Sequence, residues 1–129
     1  MKLQELVLSL GLLVCGGNSA SALMEAVPLA VREGFATPEC VVYDPDTGMA
    51  YVSNVNAEPE NYWQDTGNGF ISRLHADGTV ETLRWVASTP DHTLNQPKGM
   101  AILDGLLYVT DNTRILVISL ADARVESVL

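Results

Sequence analysis

Hydrophobic positions along the chain come in short runs separated by turn residues, with no helical period. Apolar runs at 39–44 and 49–55 flank Gly48, and those at 70–74 and 80–86 flank Ala76-Asp77-Gly78. Runs at 99–103 and 106–110 flank Gly105, and 114–120 and 124–129 follow. Segments this short, rich in Val, Ile, Leu and Tyr and bounded by Gly, Asp and Pro, predict eight β-strands. Asp77-Gly78 between two strand-forming runs is the strongest of the turn signals, because glycine tolerates the positive φ of a tight hairpin. The first two strands of each group of four are almost continuously apolar, the pattern of a sheet covered on both faces. The later strands admit Arg73, Glu81, Arg84 and Glu126.

The eight strands fall into two echoing groups. Pro38-Glu39-Cys40-Val41-Val42-Tyr43-Asp44, followed by Gly48-Met49-Ala50-Tyr51-Val52-Ser53-Asn54, is matched by Pro97-Lys98-Gly99-Met100-Ala101-Ile102, followed by Gly105-Leu106-Leu107-Tyr108-Val109-Thr110-Asp111. The shared skeleton is Pro, an apolar strand, a Gly turn and then Tyr-Val-(Ser/Thr)-(Asn/Asp). Its period is that of a β-propeller blade carrying one long loop, 55–69. The expected fold is therefore all-β: a partial β-propeller of two four-stranded antiparallel blades, one at 38–96 and an incomplete one at 97–129. A β-sandwich of two four-stranded sheets is the competing arrangement. Sandwich strands alternate apolar and polar residues, and 49–52 and 106–109 do not.

The run Pro-Glu-Cys-Val-Val-Tyr-Asp-Pro from Pro38, the pair Tyr-Val-Ser-Asn and Tyr-Val-Thr-Asp, and Pro-Lys-Gly-Met-Ala-Ile resemble the regucalcin/gluconolactonase group of six-bladed propellers and the neighbouring NHL-repeat propellers. The resemblance spans about residues 38–129. A closed propeller needs about four to eight blades. The expectation is thus a fragment of a longer reading frame, or else a short protein that completes a ring by self-association through uncovered blade faces. Residues 27–32, within the N-terminal segment 23–37, are a candidate closing strand.

The amino end follows another pattern. Lys2 precedes an apolar run at 6–14, then Gly16, Gly17 and the small residues around Ala20-Ser21-Ala22. This predicts a signal-peptide helix at 1–22, cleaved after Ala22, and a secreted or periplasmic protein with no lasting membrane span. The alternative is a membrane tether through Cys15 or an uncleaved signal, although Val14 stands where a lipobox wants a small residue. Cleavage removes one of the two cysteines and leaves Cys40, read as an apolar strand residue, so export brings no internal disulfide. The net charge of −9, with no cluster of Lys or Arg, excludes nucleic acid as a partner. Small-molecule and protein partners stay open.

Candidate chemistry follows from the strand pattern. In an antiparallel pair the first strand begins where the second ends, which gathers Glu39, Asn54 and Asn56 of the first group and Lys98, Asp111 and Asn112 of the second on one rim. The resemblance implies that a glutamate at the Glu39 position, with Asn and Asp from later blades, holds a divalent cation such as Ca²⁺ that polarises a lactone or ester carbonyl. Oxygen ligands suit such a hard ion. Lys98 departs from that pattern, standing where the family carries Asp, and an ammonium cannot ligate a cation. Without a metal, Glu39 and Lys98 are read as rim residues paired with each other or with Asp111. In the loop 55–69, Tyr62 and Trp63 can stack on a sugar or other flat ligand, or cover a sheet edge. Asp65-Thr66-Gly67-Asn68-Gly69 is read as a Gly-rich turn rather than a calcium loop. His75 and His92 fall in turns beside Asp77 and Asp91, with no nucleophile elbow to accompany them. Two functions follow from these readings: an exported propeller that binds a ligand or partner as a scaffold, or a calcium-dependent lactone or ester hydrolase of the gluconolactonase type.

Overall fold

The structure, a computed structural model, describes residues 33–129. The predicted signal segment, Cys15 and the candidate closing strand 27–32 lie outside the described residues. The chain forms two four-stranded antiparallel sheets, each a meander in sequence order. The first holds β1 (Pro38–Asp44), β2 (Met49–Asn54), β3 (Phe70–His75) and β4 (Val80–Ala87). The second holds β5 (Pro97–Leu103), β6 (Leu106–Asp111), β7 (Arg114–Ser119) and β8 (Val125–Val128). All eight expected strands are present with ends shifted by at most two residues, and the only helical element among the described residues is one turn of 3₁₀ helix, Pro59–Asn61. Among these residues no helix is long and apolar enough to cross a membrane.

Turn chemistry accounts for the meander. Asp104 and Gly105 both take positive φ, 50° and 74°, between Leu103 and Leu106, which pair directly. That is the two-residue geometry whose twist matches the flanking strands. At the other predicted hairpin the Asp77 carboxylate accepts from the Thr79 N–H at 2.8 Å and the Thr79 hydroxyl at 2.6 Å, closing an Asx turn.

The repeat seen in the sequence persists in the register. Pro38 opposes Asn54, and Pro97 opposes Asp111. Each first strand then gains one residue on its partner within the next step or two, a bulge at Glu39 in β1 and at Lys98-Gly99 in β5. Beyond the bulge the hydroxyls of Ser53 and Thr110 donate to the carbonyls of Cys40 and Gly99, at 3.5 and 3.2 Å.

Directly paired residues share a face, so the register also shows how the sheets stack. In the first sheet Val42, Tyr51, Ser53, Ile71 and Val86 share one face, here the front. In the second sheet the side chains packed against it are Leu107, Val109, Leu116 and Ile118, flanked by Met100 and Ile102. These lie opposite Tyr108, the equivalent of Tyr51, and so form the back of their sheet. Leu94, fully buried, joins the same core from the segment between the sheets. The packing is front to back.

The expectation that the first strands are covered on both faces is corrected here. β1 and β5 are edge strands, with Val41 67%, Tyr43 53% and Leu103 60% exposed. The apolar back of β1 faces solvent because the second sheet packs on the front alone.

Candidate functional site

The rim where β1 and β5 begin divides into two unequal parts. Two of its predicted residues, Asn54 and Asp111, are fully buried and committed to the fold. Asn54 Oδ1 accepts from the Ala36 N–H at 3.1 Å, and its Nδ2 donates to the Val52 carbonyl and the Ser72 hydroxyl, each at 3.1 Å. Asp111 accepts from the Asn95 N–H at 3.1 Å and the Gln96 N–H at 2.5 Å. Arg114 closes on the same carboxylate at 3.0 Å and on the Thr93 carbonyl at 2.7 Å. In both sheets the side chain ending the second strand ties down the backbone that leads into the first. The lead-in N–H groups find their acceptor in that side chain, and a buried N–H left unpaired is costly. Asn54 and Asp111 are thus equivalent clamps, with their polar atoms turned away from the rim.

Lys98, placed by its bulge, is the centre of the second part. Its Nζ lies 5.0 Å from the Tyr62 ring centroid and 4.7 Å from that of Trp63. The ammonium donates to Gln96 O and Oε1, both at 3.3 Å, and to Asn112 Oδ1 at 3.2 Å. Asn112, at φ 52°, in turn donates to Asp65 Oδ1 at 2.8 Å and to the Gln64 carbonyl at 3.3 Å. The two aromatic rings meet edge to face at 5.3 Å and 81°. Tyr62 is half-buried, while Trp63 is 75% exposed above this platform. The pairing of Lys98 with Glu39 or Asp111 expected from sequence is replaced by this cage. Asp111 points back into its sheet to Arg114, and the loop brings Tyr62, Trp63 and Asn112 to the lysine instead.

The loop that carries the aromatics is braced at both ends. Val55 and Asn56 donate their N–H groups to the carbonyls of Thr37 and Ala36, at 3.1 and 3.0 Å. At the far end the Gly69 N–H donates to Leu94 and Asn95 carbonyls, and the Gly67 N–H to Asn95 Oδ1 at 3.1 Å. The buried Gln96 side chain donates to the Asn61 carbonyl at the 3₁₀ turn. The stretch 65–69 therefore is a turn docked on the lead to β5. Gly69 is tightly confined there, since a Cβ would stand 2.2 Å from Pro97 Cδ and 2.9 Å from the Asn95 carbonyl.

Asn56 lies apart from the cage. At φ 49° it donates to the Asn68 carbonyl at 2.9 Å and lines a cleft of about 390 Å³ with Thr37, Glu58, Asn61 and Thr66. Glu39 is exposed at its bulge, and its carboxylate enters no ion pair among the described residues. His75 and His92 are exposed, and Cys40 is a half-buried free thiol.

The divalent cation implied by the resemblance does not fit the residues described. Lys98 brings a positive charge to the rim, and the oxygens of Asn54 and Asp111 are consumed by backbone N–H groups. No three His, Cys, Asp or Glu side chains converge among the described residues. Asn95, Gln96 and Arg114 are the positions that sequence reasoning missed. The signal available was a polar pair, Asn95-Gln96, placed directly before an apolar strand.

No protein-family model matches the chain, and no match is found among curated proteins or solved structures.

Proposed function

We propose that this chain is an exported β-propeller repeat protein that binds a small molecule or a partner on the rim formed by Tyr62, Trp63, Lys98 and Asn112, and acts as a scaffold. The observation that carries this reading is Trp63: an indole 75% exposed, yet set on a braced loop over a caged ammonium. Exposed aromatics on a rigid support offer contact area at low entropic cost, and a neighbouring cation and amide add orientation. Front-to-back stacking of the two sheets supports the propeller over the sandwich, because it is the arrangement that successive blades repeat. A lactone hydrolase would need cation ligands that Lys98 and the clamped Asn54 and Asp111 do not supply. Export rests on the segment 1–22 and predicts a purified chain that begins at Leu23.

Tryptophan emission tests the binding reading directly, with glucose, gluconate and a phenyl glycoside as probes. A saturable change that disappears in Trp63→Ala, at unchanged melting temperature, supports it. Emission unmoved by every probe, or a response that survives in Trp63→Ala, contradicts it.

A further inference from the structure

The two sheets share a skeleton, so each position in one has an equivalent in the other. With Pro38 matched to Pro97 and Tyr51 to Tyr108, Val41, Tyr43, Ala50 and Val52 on the back of the first sheet correspond to Met100, Ile102, Leu107 and Val109. These last four are the residues that pack the second sheet against the first. In the first sheet the β1 edge of the same back is open, with Val41 67% and Tyr43 53% exposed, Ala50 and Val52 half-buried, and Phe70, Ser72 and Leu74 on β3 covered. The front shows the converse. Ser53 and Ile71, fully buried in the first sheet, correspond to Thr110 and Ile115, both exposed in the second. Every exposed position in this set is one whose equivalent is covered in the joint between the sheets. The described residues thus present two unlike, apolar, mutually complementary faces: the β1–β2 strip on the back of the first sheet and the front of the second.

We infer that a second copy of this chain docks the front of its second sheet, at Ala101, Tyr108, Thr110 and Ile115, on the back of the first sheet, at Val41, Tyr43, Ala50 and Val52. The occupant is assigned because the joint inside the chain already pairs these two kinds of face, and a second copy carries the complementary one. Such a contact is heterologous: each copy uses one face and leaves the other free, so copies add head to tail until the rotation closes a ring. An isologous dimer would instead pair like with like.

That difference makes the test decisive. The full chain, produced with its own leader and purified, is followed by sedimentation velocity from 1 to 100 μM beside Tyr43→Lys, which blocks the back, and Ala101→Lys, which blocks the front. The expected result is assembly of the unmodified chain beyond a dimer, monomeric behaviour of each variant alone, and a 1:1 heterodimer when the two variants are mixed, since one intact joint remains. Unchanged far-ultraviolet circular dichroism of the variants guards against misfolding, and Glu81→Gln, on the outer strand, serves as the control that still assembles. A monomer at 100 μM overturns the proposal. So does self-association of either variant alone, which points to like-with-like contact or edge-strand pairing, and so does failure of the mixed variants to combine.

Discussion

The carboxylate of Asp111, at the end of β6, accepts the Gln96 N–H at 2.5 Å from the segment that leads into β5, and Asn54 does the same for Ala36 in the first sheet. One structural problem, an acceptor for the N–H groups that lead into the first strand, is solved twice by the residue at the same repeat position. The two solutions differ in charge, since Asp111 also holds Arg114 while Asn54 makes only neutral bonds.

Asp111→Ala leaves two N–H groups unpaired and removes the ion-pair partner of Arg114, which keeps its bonds to Thr93. It is expected to destabilise the chain by about 3 kcal/mol, from a typical cost of about 1–3 kcal/mol for each buried group left unsatisfied. Asp111→Asn keeps an acceptor and is expected to cost roughly half as much. Urea unfolding midpoints measure both, and equal, negligible losses would show that the clamp is dispensable.

Gly69→Ala probes the brace beneath the aromatic loop. Its Cβ meets a proline ring and a backbone carbonyl that cannot simply swing aside. A loss of about 1–3 kcal/mol is expected, the usual cost of overpacking. The Trp63 emission should shift with it, because the loop's anchor to Leu94 and Asn95 is displaced.

Arg73 grips Glu81 through two hydrogen bonds, 2.7 and 2.5 Å, and with the Thr82 hydroxyl holds the Glu81 carboxyl down to about 2. The folded value lies below the unfolded one, 4.5, so this contribution is complete above about pH 4.5 and is lost as pH falls towards 2. Both side chains are partly solvent-exposed, which limits the pair to less than about 1 kcal/mol at neutral pH. Glu81→Gln is expected to flatten that part of the acid-unfolding profile while changing the neutral melting temperature little. A profile identical to the parent chain would contradict the pairing.

Tyr51 gives the opposite sign. Burial against Trp85, whose ring centroid is 4.9 Å away, raises the phenol above its ordinary value of 10.0, with Arg73 opposing the shift. The neutral ring stabilises the fold fully below pH 10, and that stability is lost as pH rises through the raised folded value. Spectrophotometric titration at 295 nm should find one tyrosine ionising late, coincident with alkaline unfolding, and absent in Tyr51→Phe.

The strands were legible because their signals are local. Asp77-Gly78 and Asp104-Gly105 name their turns from two residues, and the Tyr-Val-Ser-Asn and Tyr-Val-Thr-Asp echo names the repeat. The site was legible only in part. Asn54 and Asp111 have the residue type and position of rim ligands, yet the groups that claim them, Ala36, Asn95 and Gln96, are paired by tertiary geometry that leaves no periodic trace. Lys98 was visible as a rim residue, but its partners Tyr62 and Trp63 reach it through a loop whose path depends on Gln96 and Gly69. The exposed back of β1 was hidden for a similar reason: a continuous apolar run shows that both faces seek cover, not whether a neighbour provides it.

Front-to-back stacking of the two sheets is the claim on which both the propeller reading and the assembly faces depend. Methyl and aromatic NOE spectroscopy of the isotopically labelled chain tests it most directly. The account predicts cross-peaks joining Tyr51 and Ile71 to the methyls of Leu107, Val109, Leu116 or Ile118. Cross-peaks joining Tyr51 or Ile71 to Tyr108 and Ile115 instead would place like face on like face and contradict it.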